Sequence, residues 1–172
     1  MAVGMTLAVV VAGIGLRRSV APSGAGSGAP APQFRLPLIA GEGATGERAG
    51  PDVGGKRALL LHFWAPSCAP CIQELPLWQR LHEAARSPTS PFAVLTVAGD
   101  EADDVARFLA ANAYTFRVVH DALGAAHRAY RVQGIPHTVV IDSEGRLGEA
   151  WSGARPEAEV RAAVARAGVV AR

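Results

Sequence analysis

Residues 58–64, Ala58-Leu59-Leu60-Leu61-His62-Phe63-Trp64, are apolar at every position but one. A run without polar alternation is how a strand covered on both faces reads. From 69 to 85 the period changes. Leu75, Trp78, Leu81 and the stem of His82 recur at three- and four-residue spacing, which predicts a helix with one buried face, kinked where Pro76 falls inside it. Strand patterns follow at 92–98, 116–119 and 138–141, and a turn at Ser143-Glu144-Gly145 leads into a strand at 147–151. Helical patterns lie between and after them at 101–112, 124–130 and 156–167, the last with Pro156 in its first turn. A short entry strand at 34–38 and a turn-rich stretch at 41–55 come before the apolar run. The alternation predicts an α/β domain, a central mixed sheet flanked by helices.

The beginning of the chain is written differently. Residues 1–16 are almost wholly apolar and end at Arg17-Arg18, so 1–18 is expected to be a hydrophobic membrane anchor or signal segment. No basic flank precedes it, and Arg17 and Arg18 would hold the following domain inside the cell. Both conflicts vanish if the true start lies upstream of Met1. Ser19-Val20-Ala21 has the small-x-small form of a cleavage site, but Pro22 follows it, which favours an anchored chain over a released one. No cysteine stands nearby to carry a lipid. Residues 19–32 are rich in Gly, Ala, Ser and Pro and are expected to form a flexible tether. The domain itself is then 33–172.

A length of 172 residues leaves room for one such domain. Seventeen basic and 15 acidic residues give a net charge of +2, without the concentrated positive field that a phosphate backbone requires, so nucleic acid is not expected as a partner. There are two cysteines, Cys68 and Cys71. They rule out a multi-bridge disulfide framework. A structural zinc site needs four ligands, and the five histidines, His62, His82, His120, His127 and His137, are scattered without a second half-site. No metal is expected.

Strand, then Trp64-Ala65-Pro66-Ser67-Cys68-Ala69-Pro70-Cys71, then helix, is an order that makes a dithiol reactive. Unpaired backbone N–H groups and the positive dipole end of a helix start favour the thiolate, the nucleophilic form. Cys68, at the opening, should attack a substrate disulfide; Cys71, one turn in, should resolve the mixed disulfide. A pair of inert core thiols is the alternative, and cysteines at this spacing directly after a buried strand speak against it.

With these residues the chain resembles the thioredoxin superfamily, and within it the membrane-tethered TlpA- and ResA-like thiol–disulfide oxidoreductases. The resemblance runs from about Pro32 to the C-terminus. It rests on Phe63-Trp64-Ala65, on Cys68-Ala69-Pro70-Cys71, on Glu74-Leu75-Pro76 and on Gly134-Ile135-Pro136-His137-Thr138. It implies a thioredoxin fold and a cis peptide before Pro136, folding the loop so that Ile135 offers its backbone to an extended substrate beside Cys68. It also implies that the Glu74 carboxylate influences thiol ionisation; positions 71 and 74 share a helix face. A second reading of Glu74 is an acid placed favourably in the first turns of a helix. Cytosolic thioredoxins carry a buried aspartate where this strand has His62. His62 can replace it as a proton relay or be a hydrogen-bonded core histidine, and the second reading is favoured. Trp64 is expected chiefly to pack, with a share in the substrate surface. His137 is expected on a solvent-facing loop.

The resemblance implies no cofactor beyond the redox-active Cys68–Cys71 disulfide. The expected activity is reduction of disulfides in exported proteins, for example apocytochromes awaiting haem. Electrons would come from a membrane thiol–disulfide transporter, and the domain would sit on the extracytoplasmic side of the membrane, or be periplasmic or secreted if the segment is cleaved. Two alternatives stand beside it. Ala31-Pro32-Gln33-Phe34-Arg35-Leu36 resembles the entry strand of peroxiredoxins, but Ala65 stands where those enzymes carry threonine or serine. The cysteine pair could instead hold copper(I) in a non-enzymatic domain.

Overall fold

The computed structural model describes residues 28–41 and 46–168. Among them the chain forms strands β1 (Leu36–Ala40), β2 (Arg48–Ala49), β3 (Ala58–Trp64), β4 (Phe92–Ala98), β5 (Val118–His120), β6 (His137–Ile141) and β7 (Leu147–Ser152). The helices are α1 (Ala69–Ala85), α2 (Ala102–Ala111), α3 (Ala125–Ala129) and α4 (Glu157–Gly168). One sheet takes all seven strands in the order β2-β1-β5-β4-β3-β6-β7. β3 is an interior strand, parallel to β4 and antiparallel to β6. That position explains the unbroken apolar run, since every residue of β3 is buried.

The sheet separates two cores. Leu60, Trp64, Val94 and Val140 meet Leu75, Trp78 and Leu81 of α1, Val105 and Leu109 of α2, and Val160, Ala163 and Val164 of α4. On the other face Leu59, Leu61, Phe63, Leu95 and Val139 meet Ala126 of α3, Tyr130 and the segment around Ala31. The helices therefore bury the stripes their periodicity predicts, and α1 runs unbroken through Pro76. The thioredoxin-type α/β sandwich expected from the sequence is what forms.

Several elements differ in extent. The entry strand is Leu36–Ala40, two residues later than the sequence pattern places it. Leu38 pairs with Val119 and Ala40 with Val118, while Phe34 leaves the sheet to set its ring edge-on to Tyr130 at 6.1 Å. The fifth strand starts at Val118, not at 116, because Phe116 is spent on the core. Residues 28–32 fall within the stretch that composition assigns to the tether, yet they pack on the β6–β7 hairpin. Gly28 N–H donates to the Leu147 carbonyl, Ala31 N–H donates to that of Gly145, and Ala31 is buried. The expected anchor at 1–18 and most of the tether lie outside the described residues. Among the described residues no helix is long and apolar enough to cross a membrane.

Candidate active site

β3 delivers the chain to the C-terminal edge of the sheet, and a four-residue turn carries it into α1. Cys68 is the N-cap of that helix, with extended backbone (φ −97°, ψ 101°). Its Sγ accepts the backbone N–H of Cys71 at 3.3 Å. An N-cap sulfur satisfies one of the orphan donors of the helix start and feels the dipole, so its anion is favoured. Cys68 and Cys71 are joined as a disulfide with their Cα atoms 5.2 Å apart, as a bridge requires. The two sulfurs are not equivalent, because Cys68 is half-buried and Cys71 wholly buried. Exposed Ala69 and Pro70 flank them.

The loop before β6 completes the site. The Ile135–Pro136 peptide is cis, and the carbonyl oxygen of Ile135 lies 3.8 Å from Cys68 Sγ. Ile135 is half-buried and Pro136 buried, so the backbone of Ile135 is what this loop offers beside the sulfur. On the other side, Ser67 donates from its hydroxyl to Asp100 Oδ2 at 3.0 Å and ties the turn before Cys68 to the end of β4.

Beneath the disulfide lies a polar cluster that the sequence names only in part. Glu74, one helical turn after Cys71, is 7% exposed, and His62 is completely buried. His62 Nε2 lies 3.2 Å from Glu74 Oε1. The two atoms are within ion-pair reach but lack the alignment of a full hydrogen bond, and neither has another hydrogen-bonding partner among the described residues. The other ring nitrogen, Nδ1, is 3.0 Å from Thr138 Oγ1. The ring stacks on Trp78 with centroids 4.0 Å apart. Burial holds His62 well below the usual imidazole range, and the charge of His137 adds to that. Burial pushes the Glu74 carboxyl up to about 7, with the Trp78 indole N–H drawing it partly back. Both groups are driven towards neutrality, so the contact is no fixed ion pair.

A pH dependence of stability follows. Glu74 titrates higher in the fold than in the unfolded chain, so the fold carries no penalty from it in acid and loses stability as pH rises through about 7. His62, held low, has the opposite sign: its contribution is present above the unfolded histidine range and is lost as pH falls below it. Glu74→Gln is therefore expected to stabilise the protein at alkaline pH by roughly 2–3 kcal/mol, allowing for partial solvent screening. Denaturant midpoints of parent and variant should coincide below 4.5, separate as pH rises to about 7, and keep that separation above it.

The other expected positions fall as follows. Trp64 is fully buried, and its indole N–H donates to Thr96 Oγ1 at 3.1 Å; it packs and lines no surface. His137 is the first residue of β6 and is 6% exposed, with Nδ1 2.9 Å from Ser152 Oγ, so it is not the solvent-facing loop residue the sequence suggests. Three features were not legible beforehand: Thr138 as partner of His62, the Ser67–Asp100 tie, and a buried Asp121 whose Oδ2 takes both the backbone N–H (2.9 Å) and the ring Nδ1 (2.7 Å) of His127. Burial pushes Asp121 up, but the bonds from His127 outweigh it and hold the carboxyl below its ordinary range. Among the described residues, no group of three or more His, Cys, Asp or Glu side chains could hold a metal ion.

With the site described, comparison with known proteins places it. Residues 27–150 match the model of the AhpC/TSA family over more than half of the chain. The chain belongs to the AhpC/TSA family. Within AhpC/TSA, it is 31% identical over 127 residues to the thiol-disulfide oxidoreductase ResA of Oceanobacillus iheyensis, covering 74% of this chain and 65% of that one. It is 30% identical over 99 residues to sporulation thiol-disulfide oxidoreductase A of Bacillus subtilis, covering 56% of this chain and 59% of that one. The chain thus spans less than two thirds of either relative. A crystal structure from Chlorobium tepidum, described as a thiol:disulfide interchange protein DsbE, superposes with a TM-score of 0.69 at 28% identity, over 83% of this chain and 98% of that one. The AhpC/TSA match includes both cysteines, Glu74 and the Ile135–Pro136 loop.

Proposed function

We propose that the protein is a thiol–disulfide oxidoreductase acting as a reductant of disulfides in exported proteins, with Cys68 as nucleophile and Cys71 as resolving thiol. The observation that carries this reading is the asymmetry of the pair: one sulfur half-exposed at a helix cap beside a backbone carbonyl, its partner sealed one turn deeper. The reduced Cys68 thiolate attacks a substrate disulfide. That bond breaks, one substrate sulfur leaves as thiolate, and a mixed disulfide forms. Cys71 then gives up its proton and attacks Cys68 Sγ, releasing the second substrate sulfur and closing the intramolecular disulfide. Two electrons have passed to the substrate. Glu74, on the same face of α1 one turn away, is the acceptor for the Cys71 proton; a carboxyl that titrates near neutrality is matched to that task. Ile135 and Pro136 hold the substrate backbone as an added strand. Trp64 supports the site by packing under it.

The protein is read as tethered through the segment before residue 28 on the extracytoplasmic side of a membrane, where a membrane thiol–disulfide transporter would regenerate it and apocytochromes are fitting substrates. A reductant is favoured because Ala69-Pro70 brings no charge or histidine to stabilise the thiolate strongly. The couple should lie nearer the ~−270 mV of thioredoxin than the ~−120 mV of a strong oxidant. Equilibration of the full chain with glutathione buffers, read by alkylation of free thiols, measures it. A value near the oxidising end would reverse the direction proposed. Peroxide reduction is disfavoured by Ala65, whose methyl offers no hydroxyl three residues before Cys68. Tight copper(I) binding without insulin reduction would favour the copper-holding alternative.

A further inference from the structure

His62 sits on β3, an interior strand of the sheet, completely buried, where a hydrophobic side chain would pack without a partner. A buried imidazole left unpaired is destabilising, so its contacts define what it does. They are Thr138, Trp78 and Glu74, the last one helical turn from the resolving cysteine. Stacking on Trp78 fixes the plane of the ring, and Thr138 Oγ1, 3.0 Å from Nδ1, fixes its rotation. Nε2 is thereby held 3.2 Å from Glu74 Oε1, short of the alignment of a full hydrogen bond, and that oxygen has no other partner among the described residues. A threonine hydroxyl that donates to Nδ1 leaves the ring proton on Nε2, facing the carboxylate.

We propose that His62 is the positioning residue for Glu74: its Nε2–H donates to Glu74 Oε1 and keeps that side chain available as a carboxylate to take the proton of Cys71 when Cys71 attacks the mixed disulfide. The inference rests on the reading of Glu74 as proton acceptor. One proton moves, from Cys71 Sγ to Glu74, as the bond between Cys71 and Cys68 forms and the bond from Cys68 to the substrate sulfur breaks. The leaving thiolate is protonated from water. His62 stays neutral throughout, because a buried imidazole beside another histidine resists taking a second proton.

The surroundings leave this task to His62. From α1 the pair is faced by Cys71, by Trp78 with its indole N–H, and by apolar Leu75. From β4 the residue in register with His62 is Thr96, whose hydroxyl is engaged with Trp64 and the Arg117 carbonyl. From β6 come Thr138 and, as the adjacent charge, His137. α4 contributes Val160, Ala163 and Val164, and β7 contributes Trp151. No arginine or lysine among these neighbours could hold the carboxylate ionised. Without the imidazole donor, only the Trp78 indole N–H would oppose burial, which favours the acid form.

The test uses the reduced full chain and Ellman's reagent in stopped flow. The first thionitrobenzoate released reports attack by Cys68, and the second reports attack by Cys71 on the mixed disulfide. The pH profile of the second phase is followed from about pH 5 to about pH 9. In His62→Phe its midpoint should move to higher pH by about one unit or more, which slows the second phase about tenfold at neutrality. His62→Gln, whose longer side chain carries its amide N–H to the place of the imidazole Nε2, should restore at least half of that shift. Glu74→Gln should slow the second phase and flatten its profile. If His62→Phe keeps the parent midpoint while Glu74→Gln flattens the profile, His62 has no positioning role and the reading of Glu74 stands. If Glu74→Gln keeps the parent profile, that reading falls and the inference with it. One measurement needs no variant: the ¹⁵N shifts of His62 in the parent should identify the Nε2–H tautomer, and the Nδ1–H tautomer would overturn the proposal.

Discussion

Replacement of Cys68 by serine is expected to lower disulfide exchange by about a thousandfold or more, because the half-exposed sulfur is the only one of the pair that a second protein can reach. A hydroxyl at that position keeps the N-cap acceptor, so α1 should form unchanged. The loss should therefore appear in turnover with no shift in the thermal unfolding midpoint relative to the reduced parent, which likewise lacks the cross-link. Cys71→Ser has the complementary result. Cys68 still attacks, nothing resolves the product, and mixed disulfides accumulate, visible by mass spectrometry as covalent adducts that dithiothreitol removes. Free exchange by the Cys68→Ser protein would sink the assignment of roles.

The second large effect is on stability. Trp78→Ala is expected to destabilise the fold by about 3–5 kcal/mol, the range for emptying the site of a large buried aromatic. Trp78 is 1% exposed and lies at the junction of α1 with the sheet. Its removal takes away the surface on which the His62 ring rests. The denaturant midpoint should fall accordingly, and the pH profile of Cys71 attack should broaden as His62 loses its fixed orientation. Trp78→Phe restores a ring at that position and should recover most of the stability while leaving a smaller cavity.

Much of this architecture is written locally. The run at 58–64 can be read as a doubly covered strand because seven consecutive buried residues leave no room for alternation. The spacing of Leu75, Trp78 and Leu81 gives α1 directly, and the dithiol between strand and helix gives the site. Glu74 and Pro136 came from resemblance to relatives, not from periodicity. The failures have a common cause: each depends on a partner far away in sequence. β1 starts two residues late because its first residues pair with β2, Leu36 with Ala49 and Pro37 with Arg48. Residues 28–32 look like linker by composition, yet backbone groups of a glycine and an alanine suffice to pin them to the β6–β7 turn. Thr138 is 76 positions from His62 and meets it only because β6 is antiparallel to β3 with those two residues in register. Nothing at either position announces the pairing, so the sequence reads a hydrogen-bonded core histidine without naming its partner, which is Thr138.

The unequal exposure of the two sulfurs has a kinetic corollary. In the proposed reaction, oxidised substrate and regenerating donor both engage the same atom, Cys68 Sγ, over the same patch formed by the capped helix start and the Ile135 backbone. They cannot be bound together at that atom. Turnover must alternate between two half-reactions, ping-pong fashion, and each partner in excess becomes a competitor of the other.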